Sequence, residues 1–257
     1  MQLSGNTMLI TGGGSGIGRA LAEVFHKSGN QVLIAGRRKA RLEETIAANP
    51  GMRAAVLDIE DAGAIHGFAQ TVTADFPFLN VVVHSAGIMR TELVQHGALA
   101  DAEATVATNL LGPIRLTAAL LPLLTRQPRA AIITVSSGLA FLPLAMTPTY
   151  CATKAAIHSY TQTLRYQLRD TSVQVLELIP PYVRTALTGP RQASDPNAMP
   201  LEDFIAESMH ILRTSPEATE ICVERVKPLR FAEINGSHDK LFKSFNDARS
   251  AAGRGEH

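Results

Sequence analysis

The sequence predicts an α/β fold: a doubly wound, parallel sheet of seven strands with helices on both faces. Three observations predict it. Short apolar, β-branched runs alternate with amphipathic stretches over the first three quarters of the chain, the pattern of repeated strand–helix units. A glycine-rich segment, residues 12–18, follows the first apolar run directly. No linker, repeat or low-complexity stretch interrupts the alternation, so residues 1–257 are expected to form one domain.

The elements follow in order. Thr7 to Thr11 reads as the first strand, and the helix Gly16 to Ser28 follows the glycines. Gln31 to Ala35 with the helix Lys39 to Ala48, and Ala54 to Leu57 with the helix Asp61 to Phe76, repeat the unit. The valines of Val81 to Ser85 suit a strand covered on both faces, and one long helix, Asp101 to Leu124, is expected after it. Ala130 to Val135, the helix Thr149 to Asp170 and the strand Val173 to Ile179 complete the regular part. Ile221, Cys222 and Val223 are β-formers behind the Pro216 break, which makes Glu220 to Glu224 the seventh strand. Between the sixth strand and a helix at Leu201 to Arg213, the stretch Pro180 to Pro200 carries five prolines and Gly189. A loop of that length in a compact domain is usually functional, so 180–213 is expected to be the substrate-binding loop and helix. Residues 226–257 form a C-terminal tail whose Leu241, Phe242 and Phe245 are expected to pack on the chain's own body or on another subunit.

Composition excludes several classes. Hydrophobic residues make up 46% and charged residues 18%, below the roughly 25% charged content of an average soluble domain, which argues against disorder. With 24 basic and 23 acidic residues the net charge is +1, so nucleic acid and anionic membranes are not expected as partners. Two cysteines, Cys151 and Cys222, make neither a disulfide framework nor a zinc site. No metal is expected, and a reducing cytoplasmic location fits. Met1 to Asn6 has no secretory pattern. Ala130 to Thr153 holds no charged residue and is long enough to span a bilayer. Ser136, Ser137, Gly138, Pro143 and Pro148 break its helical continuity, so it is read as buried rather than membrane-spanning.

Thr11-Gly12-Gly13-Gly14-Ser15-Gly16-Ile17-Gly18 opens the first helix. Glycines there let the backbone turn sharply and bring a helix N-terminus against a pyrophosphate, so Gly12, Gly14, Ser15, Gly16, Ile17 and Gly18 are candidate cofactor contacts of a Rossmann-type site. The spacing is Gly-x3-Gly-x-Gly rather than Gly-x-Gly-x-x-Gly. At the end of the second strand, where an acid would hold the ribose of NAD, the chain has Gly36 followed by Arg37 and Arg38. An acid repels a 2′-phosphate and arginine pairs with it, so NADP(H) is expected. Tyr150 and Lys154 stand four residues apart on one helix face. A nearby ammonium is expected to lower the phenol from its ordinary value near 10 into a range useful for proton exchange. Ser137, thirteen residues before Tyr150 and just past an apolar strand, is placed to hydrogen-bond the same substrate oxygen.

Taken in this order and spacing, the motifs resemble the short-chain dehydrogenase/reductase family over Asn6 to Thr185. The resemblance implies catalytic roles for Asn109, Ser137, Tyr150 and Lys154. It places Asp58 and Ile59 by the adenine, Ala86 and Gly87 by the ribose and Thr185 by the nicotinamide amide, with Ser85 a further cofactor contact. The wording around Glu220 to Arg230 is also similar to oxidoreductases found beside bacterial D-alanylation genes. Two departures stand out. His84-Ser85 replaces the usual Asn-Asn or Asn-Ala and is read as a structural variant with a satisfied core histidine; Pro180-Pro181 replaces Pro-Gly, making the path to Tyr182 and Thr185 less free. The function expected is hydride transfer between NADP(H) and a fairly apolar ketone, aldehyde or secondary alcohol, with Leu139, Tyr182 and Leu187 against the substrate. The alternative is a non-catalytic NADP-binding sensor or interaction protein on the same fold. The family commonly forms homodimers or homotetramers, and Ile157, Tyr160, Leu164 and Leu168 offer apolar positions for core and interface.

Overall fold

Strands that are apolar at every position need cover on both faces, and the helices between them supply it. The computed structural model describes residues 1–254. Its strands are β1 Thr7–Thr11, β2 Gln31–Gly36, β3 Arg53–Val56, β4 Leu79–His84, β5 Ala130–Val135, β6 Val173–Ile179 and β7 Glu220–Cys222. The helices are α1 Gly16–Lys27, α2 Lys39–Ala48, α3 Ala62–Asp75, α4 Ala100–Val106, α5 Gly112–Leu124, α6 Pro148–Gln167, α7 Pro190–Ser194, α8 Leu201–Thr214, α9 Lys227–Arg230 and α10 His238–Arg254. The strands pair in parallel in the order β3-β2-β1-β4-β5-β6-β7. The order reverses between β1 and β4, which opens a crevice at the carboxyl ends of the strands.

Alternate residues of each strand face two separate core layers. Ile10, Ile34, Val83 and Ile133 pack against Phe25 of α1 and Phe204 of α8. Leu9, Leu33, Val82, Ile132 and Val175 pack on the other side against Ile65 of α3, Leu120 of α5 and Leu164 of α6. Leu164 and Leu168, offered above for core or interface, are both used by this core. The 25 residues Ala100–Leu124 are long and apolar enough to cross a membrane, yet Leu116, Leu120 and Leu124 are fully buried against the sheet side.

On that second face the layer nearest the crevice is polar. Thr11, His84, Thr134, Glu177 and Glu220 are successive register partners across β1, β4, β5, β6 and β7. Each has a partner above the sheet or at its rim. Thr11 Oγ1 accepts from the Ser85 and Ala86 amides at 3.1 Å. His84 Nε2 meets Thr117 Oγ1 of α5 at 2.9 Å, and Thr134 Oγ1 meets Thr161 Oγ1 of α6 at 2.7 Å. His158 Nδ1 lies 2.8 Å from Glu177 Oε2, and Arg230 forks onto Glu220 with two bonds of 2.8 Å.

Three expectations change. The single helix Asp101 to Leu124 is divided: a π-helical turn, Ala107–Leu111, separates α4 from α5 and carries the buried Asn109. Such turns recur at functional sites because they rotate a side chain out of helical phase. The proline-rich stretch contains α7 and a parallel bridge between Val183 and Met199. The tail forms α9 and the 17-residue α10, longer than the short run expected; residues 255–257 of it lie outside the described residues.

The His84 imidazole is only half satisfied. Nδ1 is buried without a partner, and burial pushes the ring down to about 4 from 6.5. The unfolded chain therefore takes up a proton below pH 6.5 that the folded chain refuses until about 4. Stability from this group is full above pH 6.5 and is lost as pH falls toward 4, at most about 1.4 kcal/mol per pH unit and about 3 kcal/mol in all. Denaturant titrations at pH 7 and 4.5 should show the wild type losing about 2 kcal/mol more than His84→Gln. An equal loss in both proteins contradicts the assignment.

Candidate active site

The crevice is a cleft of about 650 Å³. Its floor at one end is the turn after β1. Gly12 and Gly16 sit at φ +70° and +53°, the left-handed region that glycine enters without steric cost. Close packing also demands the absence of a side chain: a Cβ on Gly12 would lie 2.9 Å from the Ala86 backbone, and one on Gly18 would lie 2.5 Å from the Gly12 carbonyl oxygen. Ser15 precedes α1 but makes no side-chain cap, and the first turn of α1 holds no acid. The helix thus presents amide donors without a side-chain acceptor, which is a site for an anion. Gly12, Gly14, Ser15, Gly16, Ile17 and Gly18 all line the cleft.

Arg37, Arg38 and Arg41 line the same end. Arg38 Nη2 donates to Ser15 Oγ at 3.0 Å, which draws its guanidinium over the glycine turn. Arg37 is half exposed and reaches Glu60 at 3.4 Å. Ile59 is on the lining, whereas Asp58 is not; its carboxylate accepts from the Glu60 amide at 3.1 Å and caps that turn. Ser85, Ala86 and Gly87, at the carboxyl end of β4, line the middle of the cleft.

At the other end stand Ser137, Tyr150 and Lys154, which line the cleft together. β5 delivers Ser137, whose Oγ accepts from the Leu139 amide at 3.1 Å. α6 delivers the other two one turn apart, and both are buried. Lys154 Nζ donates to the Val135 carbonyl at 2.8 Å and lies 5.6 Å from the centre of the Tyr150 ring. Burial pushes Lys154 down to about 8, opposed by the charge of Glu177. The expectation that Lys154 lowers the phenol does not hold in this arrangement. Burial pushes Tyr150 up to about 12, the Ser137 hydrogen bond pulls the other way, and the ammonium is turned to Val135 instead. Tyr150 is a neutral phenol at pH 7, and Lys154 is mostly an ammonium.

Asn109 is not on the lining of the cleft. Its Oδ1 accepts from the Ile88 amide at 2.9 Å, and its Nδ2 donates to the Ile88 carbonyl at 2.8 Å and to Thr153 Oγ1 at 3.3 Å. It ties the segment after β4 to α6. A Cβ on Gly87 would stand 3.3 Å from Asn109 Oδ1 and 3.8 Å from Lys154 Nζ, so these three pack as one unit. Thr185 lines the cleft above Gly16 and accepts from Gln192 Nε2 at 3.2 Å. Of the candidate substrate contacts, Leu187 lines the cleft. Leu139 packs with Met89 and Phe245 around Leu144, Tyr150 and Cys151. Tyr182 lies off the lining; its hydroxyl donates to Asp195 at 3.1 Å and its ring faces Arg249.

Three neighbours of the site were not legible in the sequence. Met89 follows the Ala86-Gly87 pair but belongs to no motif. Gln192 is buried in α7 and holds the loop by donating to the Val183 carbonyl at 2.8 Å; nothing in its surroundings marks it. Phe245 belongs to the apolar face of α10, a signal that named the helix but not what it covers. Asn246 pins that helix beside the site through Ala145 N at 2.6 Å and Pro143 O at 3.1 Å.

Comparison with known proteins bears on the family and the fold. A family model described as short chain dehydrogenase matches residues 6–196. An uncharacterized oxidoreductase of Bacillus subtilis, DltE, is 39% identical over 252 residues, covering 96% of this chain and 98% of that protein. Among solved structures, the closed form of a serine dehydrogenase complexed with NADP+ superposes with a TM-score of 0.74 at 26% identity, covering 82% of this chain and 90% of its own. A short-chain dehydrogenase/reductase from Burkholderia phymatum in complex with NAD gives a TM-score of 0.80 at 19% identity, covering 91% and 95%.

The glycine turn yields a direct test. Gly12→Ala forces a side chain into both a left-handed backbone position and the Ala86 backbone. It is expected to cost about 2–3 kcal/mol, read as a fall in denaturation midpoint. A variant as stable as the wild type would show that the turn has room to relax.

Proposed function

The chain belongs to the short-chain dehydrogenase family and is an oxidoreductase, and from that premise we propose that it transfers hydride between NADP(H) and a fairly apolar ketone, aldehyde or secondary alcohol. The observation that carries the reading is the convergence of Ser137, Tyr150 and Lys154 on the cleft whose other end is the glycine turn and α1. Neither half alone is specific; a phosphate cradle facing a buried phenol and ammonium is.

The residues present fit a nicotinamide dinucleotide. The α1 N-terminus, free of acids and caps, would take the pyrophosphate. Arg37 and Arg38 would take a 2′-phosphate, with no acid at the end of β2 to oppose it. Ile59 would flank the adenine, with Asp58 acting through the turn it caps. Ser85, Ala86 and Gly87 would flank a ribose, Tyr150 and Lys154 the nicotinamide ribose, and Thr185 the amide. When bound, the dinucleotide supplies or accepts the hydride.

The chain's own residues handle the substrate oxygen and its proton. Ser137 Oγ orients the oxygen. Tyr150, protonated at neutral pH, gives its proton to that oxygen in reduction and is left as the phenolate; alcohol oxidation is the reverse, the phenolate taking the hydroxyl proton. Lys154, an ammonium seated on the Val135 carbonyl 5.6 Å from the phenol ring, would hold the nicotinamide ribose beside Tyr150. Asn109 is a positioning residue that fixes the Gly87–Ile88 segment against α6. Leu187 bounds the substrate side of the cleft, with Leu139 and Tyr182 standing behind the lining. We further infer a cytoplasmic homodimer or homotetramer acting on small molecules, without a membrane or nucleic-acid partner.

A panel of neutral and acidic carbonyl compounds, followed by NADPH absorbance, tests the activity. On a substrate so found, Tyr150→Phe should lower kcat by about 10²-fold or more while NADPH affinity and thermal midpoint hold. Retention of most of the rate would remove Tyr150 from the proton transfer. Arg38→Ala should weaken NADPH binding by about tenfold and leave NADH binding nearly unchanged. A uniform effect on both cofactors would count against 2′-phosphate recognition.

A further inference from the structure

We propose that Glu177 is a positioning residue for Lys154: its buried carboxylate, held by His158, is the counter-charge that keeps the Lys154 ammonium protonated and seated on the Val135 carbonyl. The proposal builds on the reductase reading, in which Lys154 does its work as a cation.

The geometry comes from the polar row across the sheet. Glu177 on β6 is the register partner of Thr134 on β5, and Thr134 immediately precedes Val135, the acceptor of Lys154 Nζ. From the opposite side, His158 stands one turn after Lys154 on α6 and meets Glu177 Oε2 at 2.8 Å. Residues so spaced on a helix share a face, so Lys154 and His158 both descend onto the β5–β6 register where Glu177 rises. Glu177 is fully buried, and its second oxygen, Oε1, has no hydrogen-bond partner. A buried carboxylate with half its acceptor capacity unused costs several kcal/mol unless an opposite charge offsets it. Lys154 is the cation whose own burial needs the same compensation, and Glu177 is the charge that raises its affinity for a proton against that burial.

Among the other charges nearby, the Arg230 guanidinium also interacts with Glu177, but both of its bonds of 2.8 Å go to Glu220. His84 on β4 shares a small void with Lys154 and Asn109, but burial keeps it neutral near pH 7. Tyr150 is a neutral phenol. Glu220, the next member of the row, is neutralised by the fork from Arg230 and is held below the usual carboxylate range by it. The same fork argues against a metal. His158, Glu177 and Glu220 bring ligand atoms within 4.8 Å of one another, but the Arg230 guanidinium occupies both oxygens of Glu220 and stacks on Phe141 at 4.4 Å.

The test uses protein alone, so its failure and the failure of the reductase reading are distinguishable. The chain has six lysines, few enough for their 13Cε resonances to be followed by NMR through a pH titration, with Lys154 assigned by its loss in Lys154→Gln. The wild-type midpoint is expected near 8. Glu177→Gln should lower it by about one pH unit, and Glu177→Met, which removes the charge without leaving an unpaired amide, should do the same. Glu177→Asp, which keeps the charge, should recover most of the difference. A merely structural role would lower melting temperature without moving the Lys154 midpoint. An unchanged midpoint in either folded charge-free variant overturns the proposal, as does a shift in Glu177→Asp as large as in Glu177→Gln.

Discussion

An ammonium withdrawn almost wholly from water organises this site. Lys154 is 7% exposed, and a buried cation survives only where dipoles or charges replace its hydration. The chain meets that demand through backbone and register. β5 ends in a carbonyl, Val135, that accepts from Nζ, and β6 contributes a buried carboxylate one register position below. α6 must then lie over the β5–β6 seam, since only there do Tyr150, Lys154 and His158 reach those groups from one helix face. The position of Tyr150 in the cleft follows from where its neighbour can be kept charged.

The polar row explains how the sheet tolerates this. Below it the core facing α3, α5 and α6 is apolar at Leu9, Val82, Ile132 and Val175. Two residues further along each strand, on the same face, stand Thr11, His84, Thr134 and Glu177. They satisfy loop amides, α5 and α6 in turn, and each bond fixes an element that carries part of the site: Thr11 the Ser85–Ala86 turn, Thr134 and Glu177 the helix that carries Tyr150 and Lys154. His84 belongs to this row rather than to catalysis. The bland expectation of a core histidine holds for its place and its neutrality, although only Nε2 finds a partner.

The cofactor end depends on backbone rather than on side chains. Gly12 and Gly18 leave room for the loop to fold onto β4 and onto itself, and the α1 amides face the cleft with no acid among them. That economy makes the turn legible in the sequence, although glycines spaced this way after a strand acquire a specific meaning only with the groups at the other end of the cleft. Arg38, drawn over Ser15, shows how a side chain read as part of a basic patch acquires a direction only when the turn beneath it has a shape.

Much of the fold was written along the chain because it is built from local signals. Apolar runs of strand length, glycine and proline punctuation and amphipathic spacing decided the strands, most of the helices and the presence of Ser137, Tyr150 and Lys154 near one another. Tertiary structure decided what depends on distant residues. It broke the expected helix Asp101 to Leu124 at Asn109, because that side chain bonds to Ile88 and Thr153 rather than following helical phase. It raised Tyr150 instead of lowering it, because burial at the cleft outweighs a cation turned to Val135. It laid α10 beside the site and set Glu177 in register with Thr134, next to the Val135 carbonyl that Lys154 bonds. Residue spacing names which groups share a helix face; only the register between β5 and β6 determines which charge lies beneath them.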